Sequence, residues 1–253
     1  VGTGDDFATP LGAGVVDPGR LIVVLGTAEV VGCVSKAPLV DPAALVETHG
    51  YLDNYFIENP GWLSGGALRW LRRLLSVESD AELDALAALV EPQAEGLRCL
   101  PAFSGLMAPT WNEGARAAYY GLSPVHGPGH FVRAFMESCA YAMRDVADAC
   151  ESMGLGNELV VVAGGGAQSA LWGQIRADVL QRPVWRLKEW DTCATGAALL
   201  VTSALQEESS AAELARSWPH ELHEHEPQQG LRERYAEGYA KYRELIEVLT
   251  PLF

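Results

Sequence analysis

Leu159-Val-Val-Val-Ala-Gly-Gly-Gly-Ala-Gln-Ser169, with the helical run behind it to Leu180, decides how the rest of the chain is read. Its first five residues are apolar and mostly β-branched, which predicts a buried strand. Gly164, Gly165 and Gly166 then remove every Cβ from the turn, so a bulky anion can approach the backbone. Ser169 is placed to cap the next helix, whose first N–H groups are unpaired and carry the positive end of its dipole. Strand, glycine turn and helix start together suit a phosphate or nucleotide. The same residues also suit a tight strand-to-helix turn with no ligand, so the reading needs support from elsewhere in the chain.

Bulk properties narrow the field. A chain of 253 residues is one large domain or two small ones. With 49% apolar and 20% charged residues, its composition is that of an ordinary globular protein. A net charge of −15 argues against a nucleic-acid partner, because phosphate backbones need clustered Lys and Arg. No apolar run approaches the ~18 residues of a membrane span, and no stretch reads as a signal peptide with basic flank and cleavage site. The cysteines, at 33, 99, 139, 150 and 193, are odd in number and widely spaced. They read as reduced, mostly buried thiols of a cytoplasmic protein, not as a disulfide or metal framework. The opening Val1-Gly-Thr-Gly-Asp-Asp6 reads as a strand end feeding a glycine turn, which predicts a domain cut from a longer protein.

Along the chain, Asp5 stands at the tip of that turn as a candidate general base, or as a helix cap. Leu21–Leu25 and Glu29–Val34 predict a β-hairpin whose tip, Gly26-Thr27, offers an N–H and a hydroxyl. Residues 37–60 read as loop, with His49 and Tyr51 in irregular structure and Asn59-Pro-Gly61 as a turn. A helix is expected over 62–75. Its Gly65 and Gly66, which cost about 1 kcal/mol each against Ala, imply a close neighbour. Further helices are expected over 81–90, 130–153, 193–205 and 231–249, and short strands over 97–103, 115–120 and 183–187. The 130–153 helix has one apolar stripe, with Glu137 off it and read as solvated. The small residues of 193–205 call for close packing on another helix. His220-Glu-Leu-His-Glu-His-Glu226 lacks the spacing that sets two histidines on one helix face, and reads as a solvated acidic loop.

Three glycine turns need a common explanation, and a family resemblance supplies one. Gly2-Thr-Gly-Asp5, Leu25-Gly-Thr27, Gly65-Gly-Ala-Leu-Arg-Trp70, Pro101–Trp111 and Gly164-Gly-Gly-Ala-Gln-Ser169 with Gln174 and Asp178 resemble, in order, motifs of the C-terminal half of the FGGY carbohydrate kinases. The pattern is nearest that of xylulokinases. The resemblance implies an α/β, actin-like ATPase (ribonuclease H-like) domain, with a mixed sheet and flanking helices. It implies phosphoryl transfer from ATP with Mg²⁺ to a sugar or polyol, xylulose first. Asp5 is then the base, and Gly26 and Thr27 hold phosphate oxygens. Gly164, Gly165, Gly166 and Ser169 line the nucleotide pocket, with Gly65 and Arg69 on its other wall. The partner implied is the protein's own N-terminal domain, which would carry much of the sugar pocket; a homodimer is left open. Two departures stand out. Ala28 occupies a place where many relatives have Ser, and Asp6 one where many have Asn or Gln, so Asp6 is a candidate for a sugar hydroxyl. Two rivals remain. One is a dinucleotide-binding oxidoreductase reading Gly164-x-Gly166-x-x-Ser169 with Glu189. The other is a non-catalytic nucleotide-binding module.

Overall fold

The computed structural model describes residues 2–188, 191–206 and 208–253. α1 (Asp5–Gly12) leads into the hairpin of β1 (Gly19–Leu25) and β2 (Ala28–Ser35), and β3 (Glu47–Tyr51) and β4 (Asn54–Leu63) form a second hairpin. Then come α2 (Gly65–Leu74), α3 (Asp80–Ala88), a small sheet of β5 (Arg98–Leu100) and β6 (Ala118–Tyr120), and the long α4 (Pro128–Ser152). The chain finishes through β7 (Asn157–Ala163), α5 (Ala170–Leu180), β8 (Val184–Leu187), α6 (Thr192–Gln206), α7 (Ala211–Ser217), β9 (Leu222–His225) and α8 (Arg232–Leu249).

Among the described residues the main sheet has seven strands, in the order β3-β4-β2-β1-β7-β8-β9. β1 is the join, antiparallel to β2 and parallel to β7. Strand alternation sends Leu21, Val23 and Leu25 to one face, where they meet α2, α4 and α5 through Leu71, Phe135 and Trp172. Ile22, Val161 and Ala163 face the other way, onto Leu11 of α1, Leu199 of α6 and Ala215 of α7. Burial on both faces is why 159–163 is an unbroken apolar run. This mixed sheet is not the doubly wound parallel sheet that a dinucleotide enzyme needs. The acidic residue of that reading, Glu189, lies outside the described residues.

Several expectations need correction. Residues 37–60 are not mainly loop: His49 and Tyr51 lie in β3, and Tyr51 donates to the Val15 carbonyl at 3.0 Å. Asn59-Pro60-Gly61 is a bulge within β4, where Glu29 pairs with Trp62 but Val31 with Asn59. Buried Asn59 satisfies the surrounding backbone, donating to Leu45 O (2.7 Å) and Met107 O (3.0 Å) and accepting from Gly61 N (2.9 Å). Because the strand continues through the bulge, Trp62 and Leu63 belong to it, and the helix begins only at Gly65.

Glu137 is buried, not solvated. α4 is covered on nearly every side, and Glu137 accepts from Arg133 Nε (2.8 Å) and from Gln93 N (3.0 Å). Gln93, Ala94 and Glu95 all have positive φ, and the carboxylate holds the first N–H of that left-handed turn. The 220–226 segment is not simply loop, since Leu222–His225 pairs with β8 as an edge strand. Finally, neither Asp5 nor Asp6 caps α1. Gly4 is the N-cap, and the two carboxylates sit in the first turn, where they favour the positive end of the dipole.

The close helix packing expected of α6 is present. A Cβ on Gly196 would overlap the Ala8 carbonyl of α1, and one on Gly12 would overlap the Thr192 carbonyl. Gly196→Val is therefore expected to lower stability by about 1–3 kcal/mol, read as a lower midpoint in denaturant unfolding.

A second prediction concerns Glu58 of β4, buried 3.4 Å from His49 Nε2, with Oε2 lacking a hydrogen-bond partner. Burial, then the charges of Asp6 and Glu47, push its carboxyl up from 4.5 to about 7. An acid whose pKa rises on folding favours the folded state while protonated, and that advantage fades as pH climbs through the folded value. Glu58→Gln should therefore gain on the wild type between about pH 5 and pH 8, by on the order of 1–3 kcal/mol. A difference in unfolding midpoint that is flat across this range would refute the assignment.

Candidate functional site

The turn between β1 and β2 is only two residues long, Gly26 and Thr27, and Gly26 N–H closes it by donating to Ala28 O at 2.9 Å. The tip does not stand free. Thr27 O accepts from Ser64 N (3.1 Å) and Gly66 N (2.9 Å), and Arg69 donates to the Thr27 hydroxyl at 3.0 Å. Gly65 lies so close beneath the tip that a Cβ there would overlap the Gly26 carbonyl. The glycines at the start of α2 thus have the close neighbour their cost implied, and that neighbour is the β1–β2 hairpin.

The glycine triplet reaches the same place from the other side. Gly164 has φ +90°, and a Cβ on it would sit 2.7 Å from Leu25 O. A Cβ on Gly166 would run into the Leu25 side chain, whereas Gly165 has nothing within 4 Å. The middle glycine is the most open of the three; its half-buried neighbours are small so that the elbow can lie on the end of β1. The chain then makes a 3-10 turn over Gly165–Gln168, and Ser169 Oγ accepts from Trp172 N at 3.0 Å as the cap of α5.

Beside the elbow is a cleft of about 220 Å³ lined by Leu68 of α2, Asp80, Ala81 and Asp84 of α3, and Gly165, Gly166, Gln168, Ser169 and Trp172. One wall is the elbow and the start of α5, and the other is α3 with Leu68 of α2; Gly26, Thr27, Gly65 and Arg69 lie outside this lining. Asp84 escaped the sequence reading, which took α3 only as a helix; the signal was the pair Asp80 and Asp84, one turn apart on one face. Burial raises the Asp84 pKa, opposed by a hydrogen bond from Ser169. Arg186 of β8 also supports the elbow from below. It donates to Ala167 O and, through Nε, to His225 Nε2 at 2.7 Å. Burial, then the Arg186 charge, lowers the His225 pKa, which suits a neutral ring accepting that bond.

Asp5 and Asp6 lie on the opposite face of the sheet. Asp5 lines a groove of about 320 Å³ with Thr3, Cys193, Ala197 and Leu200 among its neighbours. The segment after α1 meets the start of β4, where Asn54 donates to Val16 O. Phe7 packs on Phe56, and the charge of Asp6 acts on Glu58. α1 therefore runs along β4 away from Leu63, which pairs with Ala28 beside the hairpin tip. Its N-terminus points to the end of the sheet that carries the glycine turns. Among the described residues no hydrogen bond or ion pair joins Asp5 to Thr27 or Gly165. Burial, then the nearby Asp5, raises the Asp6 pKa, with His49 opposing. No group of three or more His, Cys, Asp or Glu among the described residues can hold a metal ion. No helix among them is long and apolar enough to cross a membrane.

Comparison with known proteins gives this arrangement a context. Residues 21–205 match the profile of the FGGY family of carbohydrate kinases, C-terminal domain. The chain is 31% identical over 254 residues to the xylulose kinase of Escherichia coli K12, covering 99% of the chain and 52% of that protein. It is 35% identical over 226 residues to a glycerol kinase of Aromatoleum aromaticum, covering 85% and 45%. The crystal structure of a xylulose kinase from Rhodospirillum rubrum superposes with a TM-score of 0.87 at 30% identity, over 99% of this chain and 51% of that one. The chain thus spans about half the length of these relatives. Its fold is the actin-like ATPase fold of those kinases. The chain belongs to the FGGY family of carbohydrate kinases, matching its C-terminal domain.

Proposed function

We propose that this chain, residues 1–253, is the nucleotide-binding half of a kinase that transfers a phosphoryl group from ATP to a hydroxyl of a sugar or polyol. The observation that carries the reading is the meeting of Gly26-Thr27, Gly65–Arg69 and Gly164–Gly166 around the end of β1, beside a cleft. Xylulose is the first candidate acceptor, since xylulose kinases are among the similar proteins over nearly the whole chain. The remaining half, in this reading, is an N-terminal domain that supplies much of the sugar pocket, and the protein works in the cytoplasm.

The roles in this reading are those that the family resemblance implies. Ser169 and the bare backbone of Gly165 border the space for adenine and ribose, with Gly164 and Gly166 shaping the elbow and Gly65 and Arg69 forming the opposite wall. Gly26 and Thr27 offer donors for phosphate oxygens, and Arg69, which already reaches the Thr27 hydroxyl, brings positive charge to the same point. Catalysis of this kind depends on positioning and charge neutralisation. Asp5 takes the proton of the acceptor hydroxyl. Asp6, whose carboxyl pKa is raised by burial and by the nearby Asp5, hydrogen-bonds a second hydroxyl. Mg²⁺ would need few protein ligands, since it would be held largely by the substrate's phosphates and its own waters.

The test uses the full-length protein with ATP and a panel of ketopentoses and polyols. ADP release should depend on the sugar and on Mg²⁺, and NAD should not bind. Asp5→Asn should lower kcat by about 10²- to 10⁴-fold while ATP affinity persists. An Asp5→Asn enzyme as fast as wild type would remove the assigned base. The isolated 253-residue chain is expected to bind ATP weakly and to phosphorylate nothing; turnover by it alone would contradict the division of labour.

A further inference from the structure

Beneath the glycine turns lies a charge pair that none of the roles above uses. Glu29, the second residue of β2, and Arg176 of α5 are 0% and 1% exposed at their side chains, with Arg176 Nη2 2.9 Å from Glu29 Oε1. The other carboxylate oxygen, Oε2, accepts from the Ser64 hydroxyl at 2.8 Å. Ser64 is the N-cap residue of α2, yet its side chain caps nothing; its hydroxyl is committed to Glu29 instead. The Arg176 guanidinium stacks 4.4 Å over the ring of Trp172, and its Nε has no hydrogen-bond partner.

The position of each partner gives the cluster its meaning. Glu29 comes two residues after Thr27 of the hairpin tip, and Ser64 directly precedes Gly65. Arg176 lies two turns into the helix that Ser169 caps, on the same helix as Trp172, which lines the cleft. One carboxylate therefore ties together the hairpin, the start of α2 and the helix behind the glycine elbow. A desolvated ion pair is a poor device for stability alone, because apolar residues of similar volume serve as well or better. What it does supply is fixed direction: a bifurcated carboxylate accepts from two donors at set angles and distances.

We propose that Glu29, Ser64 and Arg176 form a positioning cluster that sets the spacing between the Gly26-Thr27 tip and the Gly164–Gly166 elbow, and so the fit of the nucleotide's phosphates. None of the three touches the nucleotide. The inference rests on the reading of this cleft as the nucleotide site. A displacement near 1 Å between groups that must grip one ligand can cost about 100-fold in rate.

The test compares full-length wild type with the double variant E29L/R176M, which exchanges the pair for apolar side chains and leaves no stranded charge. Glu29→Leu alone would strand a buried guanidinium and lose stability for that reason, so the double variant carries the test. A third protein, R176K, retains the charge but not the planar fork. Measured quantities are the unfolding midpoint, ATP affinity by calorimetry, and kcat with KM for ATP and for the sugar. The expected result is a double variant as stable as wild type, with ATP affinity or kcat down by about 10- to 100-fold and KM for the sugar unchanged, and R176K in between. A stable double variant whose ATP affinity and kcat stay within about twofold of wild type overturns the positioning role. So does a loss that tracks the unfolding midpoint across the three proteins. Wild type that binds no ATP overturns instead the nucleotide reading, and this inference with it.

Discussion

At the end of β1, backbone lies against backbone with no side chain between. Gly164 rests over the Leu25 carbonyl, Gly65 beneath the Gly26 carbonyl, and Thr27 O takes two N–H groups from the start of α2. Three segments far apart in sequence can meet there only because each meets it with glycine or with a hydrogen bond. A single Cβ at Gly65 would push α2 away from the tip, and Arg69 away from the Thr27 hydroxyl. The cleft, the elbow and the capped helix behind it all inherit their positions from this contact.

Charge is handled differently inside and outside. The surface carries most of the −15 net charge, while the core holds a few acids that are each given a partner. Glu137 has Arg133 and the Gln93 N–H, Glu29 has Arg176 and Ser64, and Asp145 has Arg243 and Tyr239. Glu58, 3.4 Å from His49, has one oxygen unpaired, as Asp145 has, and burial with the charges of Asp6 and Glu47 pushes its carboxyl up to about 7. A buried carboxylate can have every oxygen met by a donor or keep one bare, and this chain does both.

Much of this was legible before any coordinates. Apolar runs at 21–25 and 159–163, glycine turns behind them and the stripe of α4 are local patterns, and local pattern sets strands, turns and helix faces. What stayed hidden depends on distant partners. Asn59-Pro60-Gly61 looks like a turn because Pro and Gly usually make one; only pairing with β2 makes it a bulge. Glu137 looks solvated because its apolar stripe lies elsewhere, and although Arg133 is one helical turn away, nothing near it in sequence announces Gln93 and Tyr235 closing over the pair. β9 is hidden for the same reason: its backbone bonds to β8 leave no mark on a run of His and Glu. Of the site, the three glycine turns could be read in advance, whereas Asp84, Arg186 and His225 come from a helix and two strands that reach the elbow only in three dimensions.

The central sheet also acts as a partition. The glycine-lined cleft is built on the α4 and α5 side, and the groove at Asp5 on the α1 and α6 side, with β1 and β7 between them. Under the proposed roles, donor recognition and acceptor recognition therefore draw on different cores. Drift in one core need not be repacked in the other. A lineage built on this plan can exchange one acceptor for another while its purchase on the phosphate donor stays as it was, because the two preferences are written in separate layers of the same domain.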